Sequence, residues 1–168
     1  MELPIEILSS YFAAVDIYLR SRVKLDLVAA LLHRPMLICS AGWAALASKP
    51  GRAKFRPTIP ATCAVATMRR AKIVLNPLPP YYESHERPLQ AMANGAVAAN
   101  GPSEFLYDAF PRGFLQLPAM PRAAAAVIEA AFDDDDGLRT IAETGHKACM
   151  AAHLWDHRAR QLIAFAAV

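Results

Sequence analysis

The stretch Ser84-His85-Glu86-Arg87-Pro88-Leu89-Gln90-Ala91-Met92-Ala93-Asn94-Gly95-Ala96-Val97-Ala98-Ala99-Asn100-Gly101 reads as a turn, a short helix, a glycine stop and a short apolar strand. Ser84 suits the N-cap, because a serine oxygen accepts from first-turn amides, and Gly95 suits the stop, because glycine adopts the left-handed conformation that closes a helix. Immediately upstream, Lys72-Ile73-Val74-Leu75-Asn76 is a continuous apolar run, and Pro77-Leu78-Pro79-Pro80 forces an extended exit from it. Strand, helix and strand in that order are the unit from which parallel sheets are built. The order also sets a helix N-terminus beside a strand end, where anionic ligands bind.

The same alternation extends outward. From Pro4 to Leu32 the residues Leu8, Tyr11, Phe12, Val15, Leu19, Val23, Leu27, Ala30 and Leu31 fall near a 3.6-residue period, predicting one long helix or two abutting ones. Met36-Leu37-Ile38-Cys39 is a short buried strand closed by Ser40-Ala41-Gly42-Trp43. Residues 48–62, with Pro50, Gly51, Pro57 and Pro60 among several bases, read as a surface loop, and Ala64 to Ala71 as a short helix. Downstream come a strand at Ala96 to Ala99, a helix at Ser103 to Phe110 and a strand at Gly113 to Leu117. Three helices then follow, over 120–132, over 134–153 with a glycine defect at Gly145, and over 156–166. The pattern predicts an α/β fold, an open parallel sheet of about four strands with helices on both faces and a helical C-terminus. In such sheets ligands sit outside the carboxyl ends of the strands, which selects Ser40 to Trp43, Asn76 to Arg87 and Asn100 to Glu104 as the rim.

Composition narrows the class. A chain of 168 residues suits one domain over 1–168 with a single core, and its 55% hydrophobic content exceeds that of ordinary soluble domains. No apolar run is long enough for a membrane span, and the N-terminus lacks a signal-peptide layout, so a cytoplasmic chain is expected. The formal charge of +3 is mild and its bases are scattered without interleaved aromatics, which argues against nucleic acid as a partner. Cys39, Cys63 and Cys149 are odd in number and far apart, and read as reduced, buried thiols.

Other polar groupings have plainer readings. His153 and His157 are four apart, but no glutamate follows the first and no third ligand is evident, so no metal is expected there. Trp155 and His157 are instead expected to pack the last helix against the domain, with Asp156 as its cap. The run Asp133 to Asp136 suits a helix start, where the dipole favours negative charge. His33 and Arg34 read as surface residues closing the first helix, and Cys39 as core.

At Ser84 to Arg87, first-turn amides, the positive end of the helix dipole and the forked guanidinium of Arg87 together suit a phosphate or diphosphate; a capped, solvated surface helix fits the same pattern. His85-Glu86-Arg87, with Ala91-Met92-Ala93 and Gly95 behind it, resembles the C-terminal lobe of two-lobed (GT-B) glycosyltransferases, especially the bacterial spore-maturation CgeB-like group. Asn76 at the strand end, the Gly42-Trp43 turn, Ile141-Ala142-Glu143 with Gly145, and His153-Leu154-Trp155 with His157-Arg158 continue the likeness over about residues 15–163.

The resemblance implies a Rossmann-like lobe that binds a nucleotide-diphosphate sugar, UDP or GDP linked, as substrate, with no metal cofactor. His85, Glu86 and Arg87 would lie at the diphosphate and sugar, and Gly42, Asn76, Gln90 and Ser103 would line the pocket. Related retaining enzymes often carry two glutamates eight positions apart; here Gln90 stands at the second position and Tyr82 at the first. A neutral amide cannot accept the charge-assisted bonds a carboxylate does. The resemblance also implies a separate N-terminal lobe or another chain as partner for catalysis. The alternative is a non-catalytic lobe that senses nucleotides or binds proteins.

Overall fold

The computed structural model describes residues 4–77 and 86–167. Its elements are α1 (Ile5–Ala30), β1 (Leu37–Cys39), α2 (Ala44–Ala47), β2 (Lys54–Arg56), α3 (Ala61–Met68), β3 (Ile73–Asn76) and α4 (Glu86–Ala93), then β4 (Val97–Asn100), α5 (Glu104–Ala109), β5 (Leu115–Gln116), α6 (Pro121–Phe132), α7 (Asp135–Ala152) and α8 (Trp155–Ala166). The fold is α/β with parallel sheets and a helical C-terminus. Among the described residues every strand pairing is parallel, in two ladders ordered β1-β2 and β3-β4-β5.

Strand β4 is the centre. Its four residues are all buried, and the pleat divides them between two layers. Ala98 faces a cluster with Ala91 and Met92 of α4, Leu106 of α5, Phe110, Phe114 and Cys149 of α7. Ala99 faces Leu27 and Leu31 of α1 and Ala124, Ala125 and Ile128 of α6. Alanine on the strand lets helices approach closely on both sides, and the larger side chains come from the helices. Burying each of Leu27, Leu31, Met92 and Phe110 contributes about 1.5–3 kcal/mol. A third cluster, Val28, Leu32 and Leu46 with Ile38 and Phe55, covers the β1-β2 ladder, and Met36 touches both it and the α1–α6 layer.

Helix α4 forms where the sequence places it. Pro88 falls in its first turn, where the missing amide would have had no helical partner, and Gly95 ends it at φ +77°. Its buried side is Pro88, Ala91 and Met92, which leaves Glu86 and Gln90 exposed. Ser84 and His85 lie outside the described residues.

Several expectations are corrected. Lys54-Phe55-Arg56, inside the segment read as loop, is strand β2, in register with Leu37, Ile38 and Cys39. The helix expected from Ala64 starts earlier, at Ala61. Strand β5 keeps only Leu115 and Gln116, because Gly113 is committed elsewhere. Helix α7 runs through Gly145 without a defect: a Cβ there would lie 2.2 Å from the Gly113 carbonyl oxygen, so the glycine exists for helix-to-turn contact.

The start of α8 also differs. Trp155 is 87% exposed, and the helix is closed by His157, whose Nδ1 accepts from the Leu154 amide at 3.2 Å, rather than by Asp156. Of the three thiols only Cys149 is buried; Cys63 is exposed and Cys39 half-buried. The aspartate run does cap α7, through Asp134 accepting from the Gly137 amide, while Asp133 and Asp135 reach other elements. Arg34, read as a surface residue, forms a fork on Asp133 at 2.9 Å and also pairs with Glu129. Those partners hold the Arg34 guanidinium firmly charged and Asp133 below the usual carboxylate range, in each case first by the hydrogen bond between them.

Candidate functional site

Parallel pairing of β3 with β4 sets Asn76 directly beside Asn100, each the last residue of its strand. Both are buried, at 1% and 2% exposure. A buried amide must be hydrogen-bonded. Asn76 Nδ2 donates to Asn100 Oδ1 at 2.5 Å, and Asn100 Nδ2 donates to the Gly101 carbonyl at 2.9 Å. The remaining oxygen of Asn76 accepts from Arg87 Nη1 at 3.0 Å. This chain of bonds ties the first turn of α4 to the carboxyl ends of two adjacent strands, and fixes the Arg87 guanidinium at the rim.

Ser103 lies on the same rim, three residues beyond Asn100. It is buried, and its hydroxyl accepts from the Leu106 amide at 3.2 Å as the N-cap of α5. Asn76, Arg87 and Ser103 are thus brought to one edge of the β3-β4-β5 sheet. Gly42 turns the chain after β1 at φ +88° and is exposed, on the other ladder. Gln90 is exposed on α4 one turn beyond Glu86. His85 lies outside the described residues.

Helix α1 carries two further half-buried basic residues, Arg20 and Lys24. Helix α1 crosses the sheet face with Leu31 and Leu27 in the core. One turn nearer its N-terminus, Val23 lines a narrow cleft with Leu27, Pro77, Gly101, Leu117 and Pro118, residues at and just beyond the strand ends. Lys24 and Arg20 lie on these same turns, half-buried. Burial first, and then the positive charges of Arg87 and Arg20, hold the Lys24 ammonium below the ordinary lysine range. Arg20 also pairs with Asp16 at 2.6 Å.

Among the described residues no group of three or more His, Cys, Asp or Glu converges as a metal site requires. None of their helices is long and apolar enough to cross a membrane.

A rim of this kind, with buried strand-end amides, a helix start and basic side chains on a parallel sheet, is that of a Rossmann-like lobe. The solved structure of sucrose-phosphate synthase from Thermosynechococcus elongatus superposes with a TM-score of 0.69 at 20% identity. The match covers 89% of this chain and 44% of that one, so the chain spans less than half the length of this structural neighbour. The model of the glycosyl transferase-like family matches residues 20–164, and the chain belongs to that family. A comparison with curated proteins finds no match.

Proposed function

We propose that this domain binds the nucleotide-diphosphate sugar of a glycosyl transfer, UDP or GDP linked, at the carboxyl rim of β3 and β4. The observation that carries the reading is Arg87, fixed by Asn76 at the strand end in the first turn of α4. A guanidinium there, with the helix dipole behind it, stabilises the charge of a departing diphosphate without requiring a metal. Glu86 and His85 would orient the sugar or the diphosphate beside it, with Ser103 on the rim wall. Acceptor binding and closure over the donor would fall to a separate lobe or another chain. Family membership and the neighbour's fold support this assignment.

Calorimetric titration with UDP, GDP and their sugars tests it. Binding of one nucleotide is expected, and Arg87→Ala should weaken it by at least about 1 kcal/mol, the scale of a charge-assisted bond. Heat from none of the ligands, with folded protein, would sink the reading; unchanged affinity in the variant would remove Arg87 from the site.

A second reading, a nucleotide-sensing lobe without turnover, is favoured by Gln90, which stands exposed on α4 where related enzymes often carry a glutamate. Binding with no sugar transfer to any acceptor, even with the complementary lobe supplied, would select it.

A further inference from the structure

The two halves of α1 space their apolar residues differently. Leu19, Val23, Leu27 and Leu31 recur every fourth residue, a step that turns the line by about 40° each time and carries it into the core, where Leu27 and Leu31 are buried. Nearer the N-terminus, Ile5, Leu8, Phe12, Val15 and Leu19 recur at alternating steps of three and four, which holds them on one side of the helix as the a and d seam of a coiled coil. Tyr11 and Tyr18, seven apart, flank this seam on one side, and Ser9 and Asp16 on the other; Ile7 and Ile17 stand off it. Arg22 and Asp26 occupy the next seam positions and pair with each other at 2.9 Å, so the apolar part ends at Leu19. None of residues 5–19 is buried, and Ile5, Tyr11, Phe12 and Tyr18 are 64–76% exposed. The match to the glycosyl transferase-like family begins only at residue 20. The seam therefore lies on a helical arm of about four turns outside the matched domain, and an arm of that length draws its stability from packing.

We propose that a second copy of this chain covers the seam, with the two α1 helices antiparallel. A seam of alternating three and four steps fits another of its own kind, because each side chain enters a hole of the same spacing. Centred between Ala13 and Ala14, the antiparallel register sets Leu8 against the second copy's Leu19 and Phe12 against the second copy's Val15. Each pairing is made twice, and the central layers match a large residue with a smaller one. Tyr11 then flanks the second copy's Tyr18, and the Ser9 hydroxyl can donate to the second copy's Asp16 carboxylate. Parallel pairing would instead oppose Arg22 to Arg22 and Asp26 to Asp26, two like-charge layers that the antiparallel register avoids. The second copy's Ile5 falls at the level of Arg22, beside a cleft of about 470 Å³ that Arg22 and Asp26 line with Ala29, Ala30, Met120 and Pro121. Small alanines there leave room for a helix end, and the alkyl stem of Arg22 covers its isoleucine. The exposed parts of the five seam side chains and the two tyrosines come to roughly 700 Å² per copy, which for a pair falls within the roughly 1,200–2,000 Å² of a stable interface.

Sedimentation equilibrium on the parent protein is the first test. It should weigh as a dimer at about 100 μM and dissociate on dilution, and a monomer at that concentration overturns the proposal, whatever else the seam binds. Phe12→Asp, which sets a charge in each central layer, should weaken dimerisation at least about a hundredfold. Leu162→Ser, on the exposed apolar side of α8, should dimerise as the parent does. A dimer unchanged by Phe12→Asp, or an equal loss in both variants, overturns the role of the seam. Disulfide trapping reads the direction, in protein whose exposed Cys63 is replaced by serine. Leu8→Cys combined with Leu19→Cys should give a covalent dimer on mild oxidation, and Leu8→Cys alone should not. Coupling by Leu8→Cys alone, or none by the combination, overturns the antiparallel pairing.

Discussion

Asn76 and Asn100 end adjacent strands, and their pairing converts two buried amides from a cost into a fixed support for Arg87. Replacing Asn76 by leucine leaves the Asn100 oxygen without its donor and Arg87 without this acceptor. The expected loss is about 1–3 kcal/mol of stability in urea unfolding, together with weaker nucleotide binding through a less constrained Arg87. At this scale the sequence was informative wherever chemistry is local. The places of Asn76 at a strand end, Ser103 at a helix start and Arg87 in a first turn are all legible in local pattern. Trp155 was misread: an aromatic residue was assumed to be buried, yet it sits at the first, exposed position of α8.

Elements show how close packing and docking are achieved. Gly113 and Gly145 meet backbone to backbone: a Cβ on Gly113 would lie 2.9 Å from the Gly145 Cα, and one on Gly145 would also reach Met92 Sδ at 3.1 Å. Gly145→Ala must therefore push α7 off the turn before β5. We expect a loss of about 1–3 kcal/mol in chemical denaturation, larger than any helix-propensity gain from alanine. Helix α8 is tied down through His153, two residues before its start. The His153 ring lies tilted against Phe110, centroids 4.6 Å apart, and edge-on to Phe105 at 5.8 Å, and its Nδ1 accepts from Arg158 Nη2 at 2.9 Å, which requires the neutral ring.

Burial first, then the charges of Arg158 and His157, hold the His153 pKa below the ordinary 6.5. Because the unfolded chain takes up this proton at higher pH than the folded one, the stabilisation is complete above pH 6.5 and declines as pH falls through the lowered folded value. The melting temperature should drop over that interval, and His153→Gln, whose amide oxygen can still accept from Arg158, should flatten the dependence. Strand β2 marks the limit of local reading at this scale. Three residues with charged ends carry no strand pattern of their own, and Lys54-Phe55-Arg56 becomes a strand because β1 offers its edge.

For the whole molecule, apolar surface is distributed unevenly. The N-terminal half of α1 exposes Ile5, Tyr11, Phe12, Ile17 and Tyr18, and α8 exposes Leu162, Ile163 and Phe165, while the two layers about β4 are closed. The layered α/β plan was legible because strands covered on both faces are continuous apolar runs, and helices between them keep their own period. The division into two ladders was not, since whether β1 bonds to β2 or to β3 depends on backbone partners and not on side-chain pattern.

The central position of β4, flanked by parallel strands and covered on both faces, has a kinetic consequence for its amides. Those bonded within the ladder can meet solvent only when the domain opens as a unit, so in deuterium exchange Val97 to Asn100 should be among the last protons lost, long after the outer turns of α1 and α8. These slow amides then report on ligand binding at a distance. A nucleotide present at about a hundred times its Kd should slow them about a hundredfold, whichever residues it touches. Exchange of β4 unchanged by UDP and GDP would show that neither stabilises the native domain.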